Sequence, residues 1–498
     1  MAEQPATDYA ARARSAMREA GFLPEPPPAA LAEAATPAPP EEPAPADNGI
    51  RDLRHLPWSS IDNPESRDLD QIEVAEAAAG GAIRILLGIA DVAAFVPAGS
   101  AVDRFAGHNT TSVYAGLATF PMLPASLSED RTSLLPGEDR LAVVIDMLVA
   151  PDGSVGPPGL SLALARNQAR LSYAEVGAWL EGEGPPPANP GGALGGEALL
   201  EQIRLQDEAA RRLQALRRQA GALEFETIEA RPVLKDGQVV DLVLTHKDRA
   251  RAIIENLMIA ANSAMAGFLS RNGAPAIQRV VRTPERWDRI AEVAAKAGES
   301  LPPEPDAEAL AGVLARQKAK DPTGFPDFSL AIVKLLGAGT YTVVQPEAAS
   351  QGHFGLAVAH YTHSTAPNRR YADLITQRLL RAVLAGAPPP YPVEELERIA
   401  AHCNERATAA RAVERDMRKL AAVALLAPRI GETFDAMVTG VKSKGVFVRL
   451  LHPPAEGRIV AGEAGLDVGD LVRVRLVAAD PDQSHIDFAR ADEEPAPA

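Results

Sequence analysis

The hydrophobic texture of this chain changes twice, at Gly49 and after Pro428, and those two breaks rule out one continuous core. Between them, AIRILLGIADVAAFV and RLAVVIDMLV read as buried strands, the second closed by a turn at Pro151 to Gly153. RPVLKDGQVVDLVL reads as a β-hairpin turning at Asp236 and Gly237. Helical periodicity covers roughly 197–220, 249–270, 284–297, 306–320, 370–385 and 393–424, with Thr283-Pro284 placed as a helix start. The stretch GEGPPPANPGGALGG (182–196) reads as a flexible insertion. Beyond Pro428, about five short strands separated by Gly-containing turns predict a small Greek-key barrel of the OB type. A length of 498 residues agrees with two or more domains.

Before Gly49, Tyr9 to Gly21 predicts a short amphipathic helix. Residues 24–48 hold nine prolines and no base, which predicts an extended, disordered tether. No run of eighteen apolar residues and no signal-like N-terminus is present, so a soluble, cytoplasmic protein is expected. A single cysteine, Cys403, excludes intramolecular disulfides and any cysteine-based zinc site. The net charge of −16 argues against a protein that tracks phosphates nonspecifically. Residues 1–50 and the last seven contribute −5 and −3 of it, which leaves room for a basic channel.

Chemistry concentrates in Ser60-Ile61-Asp62-Asn63-Pro64-Glu65-Ser66-Arg67-Asp68-Leu69-Asp70-Gln71. Three aspartates around an Asn-Pro turn can gather about one point, where their repulsion calls for a cation. Hard oxygen donors without His or Cys favour Mg²⁺ or Mn²⁺. The EF-hand glycine and closing glutamate are missing. Spacing alone favours a solvated acidic loop. The pair His360 and His363 has no zinc-type partner in the sequence and is expected to be structural.

The run SSIDNPESRDLDQIEVAE resembles the signature of the RNase II/RNase R (RNB) family of 3′→5′ exoribonucleases. YTHSTAPNRRYADLITQRLL (361–380), about 300 residues on, is similar to that family's second hallmark. GIADVAAFVPAGSAVD, FPMLPASLSEDRTSLLPGEDR and IENLMIAAN match between them, so the resemblance spans roughly 50–425. It implies an α+β fold: an RNB catalytic domain, a mixed sheet surrounded by helices, followed by an S1-type OB barrel. The expected division is 1–48 helix and tether, 49–428 catalytic domain, 429–490 RNA-binding barrel and 491–498 disordered tail.

The resemblance further implies hydrolytic, processive degradation of single-stranded RNA to nucleoside 5′-monophosphates, with two Mg²⁺ (or Mn²⁺) ions in catalysis. Asp62, Asp68, Asp70 and Gln71 fall on the metal-binding positions, with Asp70 as the essential catalytic residue and Asp68 beside it. Arg369 matches the arginine that grips the scissile phosphate, and Arg370 is a further RNA contact. Tyr114 and Phe225 match two base-stacking aromatics, and Tyr173 and Glu255 the pair that reads the terminal ribose. Glu414 aligns with a glutamate near the site. In the barrel, Phe434, Phe447, Lys442, Lys444 and Arg449 would form an RNA face. A monomer with no membrane or disulfide partner is expected.

Two departures stand out. Gln71 occupies the place of a usual fourth aspartate, which lowers cation affinity; Glu65 and Glu73 are the nearest carboxylates to compensate. The usual RNA-binding barrels at the front are replaced by the helix and tether, which predicts weaker hold on long strands. The alternative reading is therefore a catalytically weak or inactive RNB-fold RNA-binding regulator. Hydrolysis of another phosphodiester, such as DNA, is a third.

Overall fold

The computed structural model describes residues 9–36, 49–116, 118–189, 192–226, 229–235, 238–245, 248–322, 324–346, 348, 350–442, 445–480 and 485–491. Two helices come first, α1 (Tyr9–Glu19) and α2 (Pro28–Ala35). The central sheet then takes β1 (Ile50–Asp52), β2 (Ser59–Asp62), β3 (Gln71–Ala77) and β4 (Ile83–Ala90). After α3 (Ala101–Asn109) and the short hairpin β5 (Val113–Tyr114) and β6 (Thr119–Phe120), it is completed by β7 (Asp139–Val149), β8 (Gly159–Arg166) and β9 (Ala169–Ser172). Its order is β1-β8-β7-β4-β3-β2-β9, mixed, with parallel pairs at both edges. β4 and β7 lie at the centre and read as near-continuous apolar runs because both their faces are covered. Gly88 in β4 is forced by packing: a Cβ there would stand 2.9 Å from Ile72 Cγ1 and 3.3 Å from the Trp58 ring.

Helices α4 (Tyr173–Glu181), α5 (Gly196–Gln219) and, after the hairpin β10 (Glu229–Lys235) and β11 (Gln238–Thr245), α6 (Arg249–Arg271) cover the β2–β3 side. Gln202 fixes α5 to β3 by accepting from Ala75 N–H and donating to its carbonyl, both at 2.8 Å. α6 is long and apolar enough to cross a membrane by composition alone, but here Ile253, Leu257, Ala261, Met265 and Leu269 are core residues. A helical lobe of α7 (Trp287–Lys296), α8 (Ala307–Lys320) and α9 (Phe325–Leu336) is inserted between the paired strands β12 (Ala276–Val280) and β13 (Thr340–Val344). α10 (Tyr371–Leu384) and the 34-residue α11 (Val393–Leu426) complete this part. β14 (Thr433–Lys442), β15 (Gly445–Leu450), β16 (Glu456–Ala461), β17 (Leu471–Asp480) and β18 (His485–Arg490) close a five-stranded barrel. The α+β class and the terminal barrel are as expected from the sequence.

Three expectations need correction. The tether is not extended throughout: α2 interrupts it, because Pro28 stands at the first helical position and a run of alanines follows. Ala30 and Ala34 are buried, and Glu33 accepts from the first N–H groups of α3. Residues 37–48 lie outside the described residues. The insertion at 182–196 is anchored, since Leu194 enters the core and Asn189 donates to the Gln168 and Leu194 carbonyls. Lastly, α7 starts at Trp287 rather than at Pro284. The β10–β11 pairing is present, while its Asp236-Gly237 turn lies outside the described residues.

One ion pair joins the barrel to the lobe. Arg449 of β15 donates both terminal nitrogens to the Asp327 carboxylate on α9, at 2.7 and 3.0 Å, with both side chains largely buried. Arg449→Met should therefore cost about 3 kcal/mol, since it strands a buried carboxylate. The double variant Arg449→Met/Asp327→Leu should recover most of that loss in a denaturant titration.

Candidate active site

The acidic loop connects the antiparallel strands β2 and β3, and backbone stitching holds it still. Asp62 accepts from Asn63 N–H at 2.7 Å and Ser66 Oγ–H at 2.8 Å, which closes the Asn-Pro turn. Ser133 accepts from Leu69 N–H and donates to the Arg67 carbonyl. Arg170 donates to the carbonyls of Pro64 and Ser66, and Ala90 N–H to that of Asp70. The aspartates thus project from a fixed frame rather than from a solvated turn.

The second hallmark segment meets them. Residues 366–370 form the turn that leads into α10, and Asp70 lies against it, only 2% exposed. Its carboxylate accepts from Asn368 N–H at 3.1 Å and from Arg369 Nε–H at 3.0 Å. Burial dominates its acidity and the charge of Asp68 adds to it, so the carboxyl is pushed up to about 7 despite Arg369. Asp68 is also raised, by burial first and then by Asp62 and Glu129. Arg369 remains 45% exposed, with solvent reaching its side chain. Tyr114, 43% exposed on the β5–β6 hairpin, bonds to Arg369 and feels Asp68 and Asp70. Glu414 of α11 fixes that hairpin by accepting from Tyr114 N–H at 3.2 Å. By contrast, Arg370, expected as a further RNA contact, pairs with Asp373, donating at 2.9 and 2.8 Å.

Deeper along the same wall, the Tyr173 hydroxyl lies within the fields of Asp62 and Glu73. Arg251 stacks over the Tyr173 ring at 4.4 Å and donates to Asn63 Oδ1 at 3.2 Å. Arg251 was not among the residues expected from the sequence to line the site, although its place one helical turn before Glu255 on α6 was an available signal. Glu255 is exposed on α6, whereas Asn262, seven residues on, is buried and holds Ser364 and Tyr361. Gln71 is buried beside Asp70. Glu73 is fully buried, and burial followed by the charge of Asp62 pushes its pKa well above the usual carboxylate range.

Other candidates lie elsewhere. Phe225 is half-buried against the lobe core of Leu223, Trp287, Ile290 and Leu310. Phe434 belongs to the barrel core at 6% exposure, so it cannot offer a stacking face; inward alternation on β14 put it there. Arg449 is taken by Asp327. Phe447 is half-exposed on β15. The Lys442 side chain and all of Lys444 lie outside the described residues. His363 bonds to the Tyr341 hydroxyl at 2.8 Å, a structural role as expected.

Among the described residues, no three His, Cys, Asp or Glu side chains converge tightly enough to hold a metal ion as they stand. The donor chemistry nevertheless fits a hard divalent cation. Asp68 raises the charge cost of Asp70, and Asp62 that of Asp68, in a desolvated place, and Arg369 supplies the counter-charge a cation would supply.

Comparison with known proteins identifies the two folded parts. A model of the RNB domain matches residues 50–386, and a model of the RNase II-type exonuclease C-terminal S1 domain matches 432–491. Ribonuclease R of Thermotoga maritima is 30% identical over 484 residues, covering 90% of this chain and 65% of its own length. Ribonuclease R of Escherichia coli is 30% identical over 498 residues, covering 92% of this chain and 59% of its own. The chain thus spans less than two-thirds of either relative. The structure of Mycoplasma genitalium RNase R in complex with ribose methylated single-stranded RNA superposes with a TM-score of 0.85 at 24% identity, covering 97% of this chain and 78% of that one.

Proposed function

This chain belongs to the RNB family, and from that premise we propose that it is a hydrolytic 3′→5′ exoribonuclease degrading single-stranded RNA processively to nucleoside 5′-monophosphates. The observation that carries the reading is the contact between Asp70 and Arg369, which brings an acidic loop against an accessible guanidinium from 299 residues away. Carboxylates beside a fork of N–H donors are what phosphodiester hydrolysis needs: cation ligands on one side, charge stabilisation on the other.

Asp62, Asp68, Asp70 and Gln71 would hold Mg²⁺ or Mn²⁺, two ions in catalysis. Bound there, the metal lowers the pKa of an attacking water and supports the leaving oxygen. Arg369 turns its fork from Asp70 to the scissile phosphate as that group enters. Tyr114 offers a base-stacking face at the same recess, and Phe225 a second one further out. Tyr173 and Glu255 contact the terminal ribose, with Arg251 fixing the Tyr173 ring, so that a 2′-hydroxyl is recognised. In this reading residues 49–428 are the catalytic unit and 429–490 an RNA-binding barrel, working as a cytoplasmic monomer. An inactive RNA-binding regulator is the weaker reading, because Asp62, Asp68, Asp70 and Arg369 are all present, and a protein that only binds need not keep the four together.

The test is a 5′-labelled oligoribonucleotide incubated with Mg²⁺, with and without EDTA. The expected result is a ladder shortening from the 3′ end, abolished by the chelator, and no shortening of the matching DNA. Binding without shortening at any Mg²⁺ or Mn²⁺ concentration would select the regulator instead.

A further inference from the structure

The loop presents one carboxylate fewer than the family pattern, and the structure holds another carboxylate without a partner close by. Side chains alternate along a strand, so Gln71 and Glu73 of β3 share one face. Glu73 lies directly opposite Ser59 of β2, three residues before Asp62. It is 0% exposed, and neither carboxylate oxygen has a hydrogen-bond partner. Among the described residues no basic side chain pairs with it; Asp62 is the charged group that acts on it, and both act on the Tyr173 hydroxyl. Its surroundings offer little: Gln206, buried on α5, also has an unsatisfied Oε1, and its amide reaches only Ser59 at 3.4 Å.

A buried carboxylate with no donor and no counter-ion is among the costliest groups a fold can retain, and mere packing would be served better by leucine. We propose that Glu73 is a divalent-cation ligand, supplying from the inner end of the site the negative charge that Gln71 does not. Glu73 would give the cation a hard oxygen donor, and Gln71, on the same face of β3, would add its neutral amide oxygen. Glu65, the other nearby acid, is exposed in the turn after Pro64. The proposal rests on reading the acidic loop as a metal site.

The experiment is Mn²⁺ binding to the RNA-free protein, by calorimetry and by the Mn²⁺ electron paramagnetic resonance signal, for wild type, Glu73→Asp and Glu73→Gln. Circular dichroism confirms folding of each. Wild type should bind, Glu73→Asp should bind more weakly because its reach is shorter, and Glu73→Gln should bind at least about tenfold more weakly. The rise in melting temperature on adding Mn²⁺ should shrink in the same order. Equal Mn²⁺ affinity in all three proteins would overturn the role of Glu73 while leaving the proposed exonuclease intact. A wild type that binds no Mn²⁺ would overturn both readings.

Discussion

Arg369→Ala is expected to lower the rate of RNA hydrolysis by about 10²–10³-fold, about 3–4 kcal/mol of transition-state stabilisation, with a much smaller change in KM. The asymmetry follows from where the guanidinium is held. In the RNA-free protein it donates Nε–H to Asp70 and keeps solvent access, so the rest of its fork is within reach of an entering phosphate. A phosphate gains most from such a fork when charge builds on its oxygens, not when it first docks. Arg369→Lys should recover little, because a point charge cannot replace two directed donors. The alanine variant should also melt lower in metal-free buffer, since Asp70 then keeps its buried carboxyl without the counter-charge. Single-turnover kinetics with a 5′-labelled oligoribonucleotide separates the two effects. A purely structural arginine would change KM and melting temperature but leave the chemical step of the folded fraction unchanged.

The strands β4 and β7 and the five-strand barrel were legible because their signals are local: an apolar run between turns, or short strands between glycines. The acidic loop and the α10 turn were legible as motifs, though only the fold brings them into contact. What escaped was set by partners distant in sequence. α2 was hidden by proline count, yet Pro28 starts the helix and Ala30 and Ala34 let it lie close to its neighbours. Phe434 and Phe447 look equivalent as barrel aromatics, and only the strand register sends the first inward. Arg449 reads as one more base for RNA, and nothing local announces Asp327, 122 residues away. Likewise, an Arg251–Glu255 spacing suggests a surface pair until α4 places Tyr173 under the guanidinium.

Asp70→Asn is expected to abolish cleavage, by at least about 10³-fold, while leaving RNA binding equal or tighter. The carboxylate has two tasks that the amide divides. The amide can still accept from Asn368 N–H and preserve the turn before α10, so the fold should hold. It loses the negative charge that a cation requires and that detains Arg369. Metal-assisted hydrolysis therefore fails, and the freed guanidinium is more available to the phosphate backbone. Burial works in the same direction, because a neutral amide at this 2%-exposed position costs less to desolvate than a carboxylate. The melting temperature in EDTA should accordingly be unchanged or higher. Cleavage assays, filter binding and thermal melts on one preparation test the three parts together. Lost cleavage with lost RNA binding would mean that Asp70 organises the RNA site itself. Retained cleavage would move the essential carboxylate elsewhere in the loop, to Asp62 or Asp68.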